Sequence, residues 1–101
     1  MNNQRELKRC WRIRGYDSTT EIFDQNVPIG QMTENCMKEL LRALVARDLS
    51  PREVIGAYAK RGTRISNGLL EIHKENQPEK RRTIYTCGHN PHYVATTIVC
   101  D

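Results

Sequence analysis

Apolar and polar residues alternate over Cys10-Trp11-Arg12-Ile13-Arg14-Gly15-Tyr16, with Trp11 and Ile13 on one side and Arg12 and Arg14 on the other. A period of two predicts a strand with one face covered, because successive side chains of a strand point to opposite faces. Asp17-Ser18-Thr19-Thr20 has the short polar side chains that close turns. The stretch from Glu21 to Val27, with Ile22, Phe23 and Val27, then predicts a hairpin partner that Pro28 and Gly30 end.

From Thr33 the period changes. Cys36, Met37, Leu40, Leu41, Leu44 and Val45 recur at three-and-four spacing behind a threonine that can accept from the first free backbone N–H groups, so a helix is predicted from Thr33 to Arg47. Ser50-Pro51-Arg52-Glu53 restarts a helix with a capping serine, a proline at the first helical position and an acid at the third. That second helix is expected to reach Lys60, to stop at Gly62 and to bury Val54, Ile55, Tyr58 and Ala59.

Beyond Asn67-Gly68 the pattern returns to strands, at Leu69 to Lys74, Arg82 to Cys87 and Tyr93 to Cys100. The intervening segments, 75–80 and 88–92, have turn composition, which suits an antiparallel meander. The fold class expected is α+β in the order ββααβββ, an antiparallel sheet with both helices packed on one face. Much of the core should come from Trp11, Ile13, Leu40, Leu41, Leu44, Val54, Ile55, Tyr58, Ile72, Ile84, Val94 and Ile98. The last strand lies so near the C-terminus that it is expected to offer an edge to another chain.

The length of 101 residues fits one domain, 1–101, with one core, and residues 1–8 read as a flexible basic extension. A hydrophobic fraction of 38% with 28% charged residues excludes a disordered chain, and no apolar run is long enough for a transmembrane helix. The N-terminus lacks the apolar core of a secretory signal, which points to a soluble, cytoplasmic protein without a membrane partner. In that compartment Cys10, Cys36, Cys87 and Cys100 are expected to be reduced and buried. The net charge of +4 is local: residues 1–14 hold five bases and one acid, while the rest of the chain holds eleven of each. The body of the domain is therefore neutral, with a basic first strand.

Three basic groups stand out, at Arg5 to Arg14, Lys60 to Arg64 and Lys80 to Arg82. Arginine outnumbers lysine 11 to 5, which suits forked contacts to phosphate or carboxylate. Arg12, Arg14, Arg61, Arg64, Arg81 and Arg82 are thus the candidate contacts for an anion or a nucleic acid. Lys60 and Arg61 also complement the dipole at a helix C-terminus, and Lys80 to Arg82 can be a solvated loop. Cys87, His89 and His92 are the candidate metal ligands, being thiol and imidazole donors of the kind zinc accepts. The same three allow a thiolate-and-base pair, but without an orienting group beyond Asn90, which serves better as a turn former. Gly62 to Gly68 lacks the lysine of a phosphate loop and leads into a strand. No cofactor is expected. The chain reads as a non-catalytic interaction module for a protein partner or a second copy of itself, with nucleic-acid binding as the alternative and a metal or thiol site at Cys87 to His92 as the third reading.

Overall fold

The computed structural model describes residues 8–100. The extension expected over residues 1–8 lies, apart from Lys8, outside them. The chain runs through strands β1 (Arg9–Asp17) and β2 (Thr20–Pro28), helices α1 (Glu34–Ala46) and α2 (Pro51–Tyr58), and strands β3 (Ile72–Gln77), β4 (Arg82–Gly88) and β5 (His92–Val99). The strands form one antiparallel sheet in the order β2-β1-β5-β4-β3, so the fold is α+β in the expected chain order. Among the described residues no helix is long and apolar enough to cross a membrane.

The expected edge at the last strand is corrected by this order. β5 is the central strand, paired with β1 from Arg9↔Val99 to Tyr16↔His92 and with β4 on its other side. The edges are β2 and β3, where Glu21, Asp24, Lys74 and Glu75 discourage pairing with another chain. β3 also begins later than expected. Asn67 Oδ1 accepts from Leu69 N at 3.1 Å and Gly68 O accepts from Glu71 N at 3.2 Å, and these turns occupy the backbone that was expected to start the strand.

Helix α1 starts as the pattern predicts, with the Thr33 hydroxyl accepting from Cys36 N at 3.2 Å. It packs on β4 and β5 and buries Met37, Leu41, Leu44 and Val45 against Trp11, Ile13, Tyr85, Cys87, Tyr93 and Ala95. The packing is close enough to dictate a residue type. A Cβ on Gly15 would lie 2.4 Å from the Tyr93 ring, which also meets Phe23 edge-on at 5.9 Å. Trp11 turns its ring into the same core and donates its indole N–H to Met32 O at 2.7 Å.

Helix α2 does not follow α1 onto the sheet, which corrects the expectation of two packed helices. Its capping box forms as predicted, with Ser50 and Glu53 bonded reciprocally at 2.8 and 3.2 Å. Its one buried residue is Gly56, crossed by the following connection: Asn67 N donates to Gly56 O at 3.0 Å, and a Cβ there would lie 2.4 Å from Asn67 Nδ2 and Ile65 O. Ile55 and Tyr58, both expected in the core, are 61% and 65% exposed. The helix ends at Tyr58, short of Lys60, with extended backbone at Ala59.

The expectation of four reduced, buried cysteines is also corrected. Cys10 and Cys100 form a disulfide with Cα atoms 5.8 Å apart, because the β1–β5 register sets Cys10 opposite Ile98 and brings the residue two places on within reach. Cys36 is free and exposed, and Cys87 is free and buried.

Candidate functional site

Strand alternation gives the sheet two faces, and α1 covers only one. On the other lie Arg12, Arg14 and Tyr16 of β1, Arg82 and Ile84 of β4, and Val94, Thr96 and Ile98 of β5, which together line a shallow concavity of about 340 Å³. Ile84, Val94 and Ile98 were expected in the core. They are half-buried on the uncovered face, because β4 and β5 are apolar at both parities and α1 takes the parity of Tyr85, Cys87, Tyr93 and Ala95.

The arginines of β1 are held by carboxylates of β2. Arg12 donates to Asp24 through Nε at 3.2 Å and Nη2 at 2.9 Å, a forked pair, and Arg14 Nε donates to Glu21 at 3.0 Å. The hydrogen bond from Arg12 holds the Asp24 carboxyl below its ordinary value and raises the guanidinium in return. Arg14 also lies over the Tyr16 ring, 5.4 Å from its centroid, and Tyr16 stacks on His92 at the same distance. Arg82 donates through Nε to the neutral Gln77 Oε1 at 2.8 Å. The Cys10–Cys100 bond closes one end of this face, on the parity of Arg12 and Ile98.

Of the six candidate anion contacts, Arg12, Arg14 and Arg82 therefore share one surface. Arg81 lines a separate cavity beside Arg82. Arg61 pairs with Glu71 at 2.8 Å, and Arg64 is exposed in the connection after α2, so the middle basic group stands apart from the other two.

Cys87, His89 and His92 are dispersed. Cys87 is fully buried among the core residues, and burial pushes its thiol up to about 11 despite the opposing influence of Arg42, which disfavours the thiolate that a nucleophile or a metal ligand requires. His92 lies on the opposite face against Tyr16, and His89 is exposed in the turn, where the neighbouring Asn90 accepts from Ser18 N at 2.7 Å. Among the described residues no three His, Cys, Asp or Glu side chains are grouped so as to hold a metal ion.

Sequence reasoning missed Tyr16 and the surface role of Ile84, Val94 and Ile98. The signal was present in β5, where Val94, Thr96 and Ile98 alternate with Tyr93, Ala95 and Thr97. A strand that is β-branched on both parities has an apolar residue to spare on whichever face the helix leaves open. Comparison with family models, with curated proteins and with solved structures yields no match to this chain.

Proposed function

We propose that this protein is a non-catalytic interaction module that binds a partner protein on the helix-free face of its sheet. The observation that carries the reading is the aliphatic centre of Ile84, Val94 and Ile98, which no element among the described residues covers, inside a rim of Arg12, Arg14 and Arg82. An apolar middle with an arginine-bearing polar edge is the usual anatomy of a protein interface. Charge favours a protein over a polyanion. Two of the three arginines are already neutralised by Asp24 and Glu21, so this face carries little net charge to drive counterion release. The partner expected is an apolar surface edged by carboxylates, which would meet Arg82 directly and share Arg12 and Arg14 with their present partners.

A second reading, binding of single-stranded nucleic acid, is favoured by the Tyr16–His92 stack with Arg14 lying over it, since stacked rings beside arginines suit unpaired bases.

One experiment separates these readings. The wild-type chain, Val94→Arg on the open face and Ile55→Arg on α2 are compared for self-association by sedimentation, for proteins recovered from a native extract, and for binding of a mixed single-stranded oligonucleotide at two salt concentrations. The proposal expects a defined protein, or a second copy, to be held by the wild type and by Ile55→Arg and lost with Val94→Arg. Oligonucleotide binding that falls steeply with salt and is lost with Arg14→Ala would replace it by the second reading. A monomer whose recovered proteins are the same with and without Val94→Arg would overturn it.

A further inference from the structure

The helix-covered side of the sheet is not covered along its whole length. Beside the start of α1, where the Tyr85 hydroxyl donates to Glu34, the sheet surface opens into a cavity of about 550 Å³. That volume lies within the range of roughly 300 to 1,000 Å³ typical of small-molecule sites. Arg9, Arg81, Arg82, Trp11, Tyr85 and Thr97 line it, and among the described residues no acidic one does.

The three arginines of the cavity differ from the paired cations among the described residues. Arg12, Arg14, Arg42, Arg61 and Lys74 each have a carboxylate partner. Among the described residues Arg9, Arg81 and Arg82 form no ion pair; Arg9 donates to the Thr97 hydroxyl at a long 3.4 Å and Arg82 to the Gln77 amide. Three guanidinium groups around one cavity repel one another unless an anion joins them, and their forked donors match phosphate oxygens. Arg81 is also held with φ 52° and ψ 44°, the left-handed region that a residue with a Cβ seldom adopts, at the end of the 3-10 turn Pro78–Lys80. The sequence thus keeps an arginine where glycine would fit the backbone better.

Two aromatic rings lie among the remaining lining residues. Trp11 and Tyr85 meet edge to face at 5.9 Å, and their polar ends are already committed, the indole to Met32 O and the phenol to Glu34. Both rings are buried, Trp11 at 7% and Tyr85 at 4% exposed, so they form the floor of the cavity and leave its arginines as the groups that reach a ligand. We infer that this cavity binds a phosphate ester through its phosphate group, with Arg9, Arg81 and Arg82 as the contacts. The phosphate comes either from a small-molecule ester, for which a mononucleotide serves as probe, or from the 5′ end of an oligonucleotide. The inference is independent of the open sheet face, with which it shares only Arg82.

Trp11 is the only tryptophan of the chain, so its emission reports on the cavity directly. The intact protein is titrated at low salt with adenosine 5′-monophosphate, adenosine, inorganic pyrophosphate and a short oligonucleotide with and without a 5′-phosphate, with phosphorus line-broadening as a second readout. Saturable binding of the monophosphate and of pyrophosphate, and none of adenosine, are expected. Arg81→Ala should weaken the monophosphate by about tenfold or more, the loss of a charged hydrogen-bonding contact. Arg81→Gly should do the same while leaving thermal stability equal or higher, which separates lost binding from lost folding. Val94→Arg should leave it unchanged. Binding of the 5′-phosphorylated oligonucleotide in place of the mononucleotide would identify the source of the phosphate and support the site. Equal binding of adenosine and its monophosphate, oligonucleotide binding indifferent to the 5′-phosphate, or no response in either readout would overturn it.

Discussion

The two faces of the sheet are made by the same strands and differ only in which alternate residues they present. On the face under α1, Ile13, Met37, Leu41, Cys87 and Ala95 are fully buried and the side chains interlock tightly enough to require glycine at position 15. On the other face Ile84, Val94 and Ile98 are half-buried, edged by arginines in ion pairs with β2, and no element among the described residues lies over them. The difference teaches that stability and recognition are divided by parity. The covered face can be perturbed only at the expense of the fold, and the open face can be rewritten while the fold survives.

The largest effect that tests this division is at Leu41. Replacing it by alanine should cost about 2 to 5 kcal/mol, the usual loss for a buried leucine whose cavity does not collapse. Ile98→Ala on the open face should cost less than about 1 kcal/mol, since only part of its surface leaves water on folding. Urea unfolding of both variants decides the matter. Equal losses, with a cost at Ile98 that grows with protein concentration, would show the open face to be covered by a second copy in solution.

Much of the covered face was legible in the sequence. The alternation of β1 gave Trp11 and Ile13 their side, and the three-and-four spacing after Thr33 placed α1 with its cap. Parity was not legible in β4 and β5, since Tyr85 and Cys87 alternate with Ile84, and Tyr93 and Ala95 with Val94 and Ile98. Periodicity states that two faces exist; only the position of α1 decides which is inside. The same limit applies to α2. Its cap was read correctly from Ser50 to Glu53, because a capping box is a local interaction, but the burial of Ile55 and Tyr58 depended on where the helix docks. A connection that bonds across Gly56 takes the place where a sheet was expected. The arginine surface was half legible for a similar reason: the residues were named, and the register that joins Arg12 and Arg14 to Arg82 while leaving Arg61 and Arg64 elsewhere is a property of the sheet.

The disulfide is the covalent tie of the open face, so its removal asks whether that face depends on it. Cys10→Ser should lower stability by about 2 to 4 kcal/mol, because the bond closes a loop with a sequence separation of 90 and so restricts the unfolded chain. Thiol titration of the denatured, unreduced protein should find Cys36 and Cys87 alone among the four cysteines. Four reactive thiols would show β1 and β5 to be held by their hydrogen bonds only, as expected for protein kept in a reducing compartment.

The smallest effect separates the faces by pH. Cys87, in the covered core, has its thiol raised from an ordinary 9.0 to about 11 by burial. A folded state that keeps a proton which the unfolded chain releases is stabilised below the unfolded-state value, and that contribution fades as pH rises from about 9 towards 11. Tyr85, raised to about 12 by burial and by its bond to Glu34, extends the same trend upward. Acid acts more evenly. The contributions of Asp24 on the open face and of Glu34 at the start of α1 are present above the ordinary carboxylate values and are lost as pH falls through their lowered ones. The loss between about pH 9 and 11 therefore arises in the covered core. Urea midpoints should fall between pH 9 and 11 in the wild type, and less steeply in Cys87→Ala. An alkylating reagent near pH 8 should label the exposed Cys36 quickly and reach Cys87 only on unfolding. Labelling of both at one rate would mean that the core under α1 opens as readily as the surface, and the division between the faces would fail where it is sharpest.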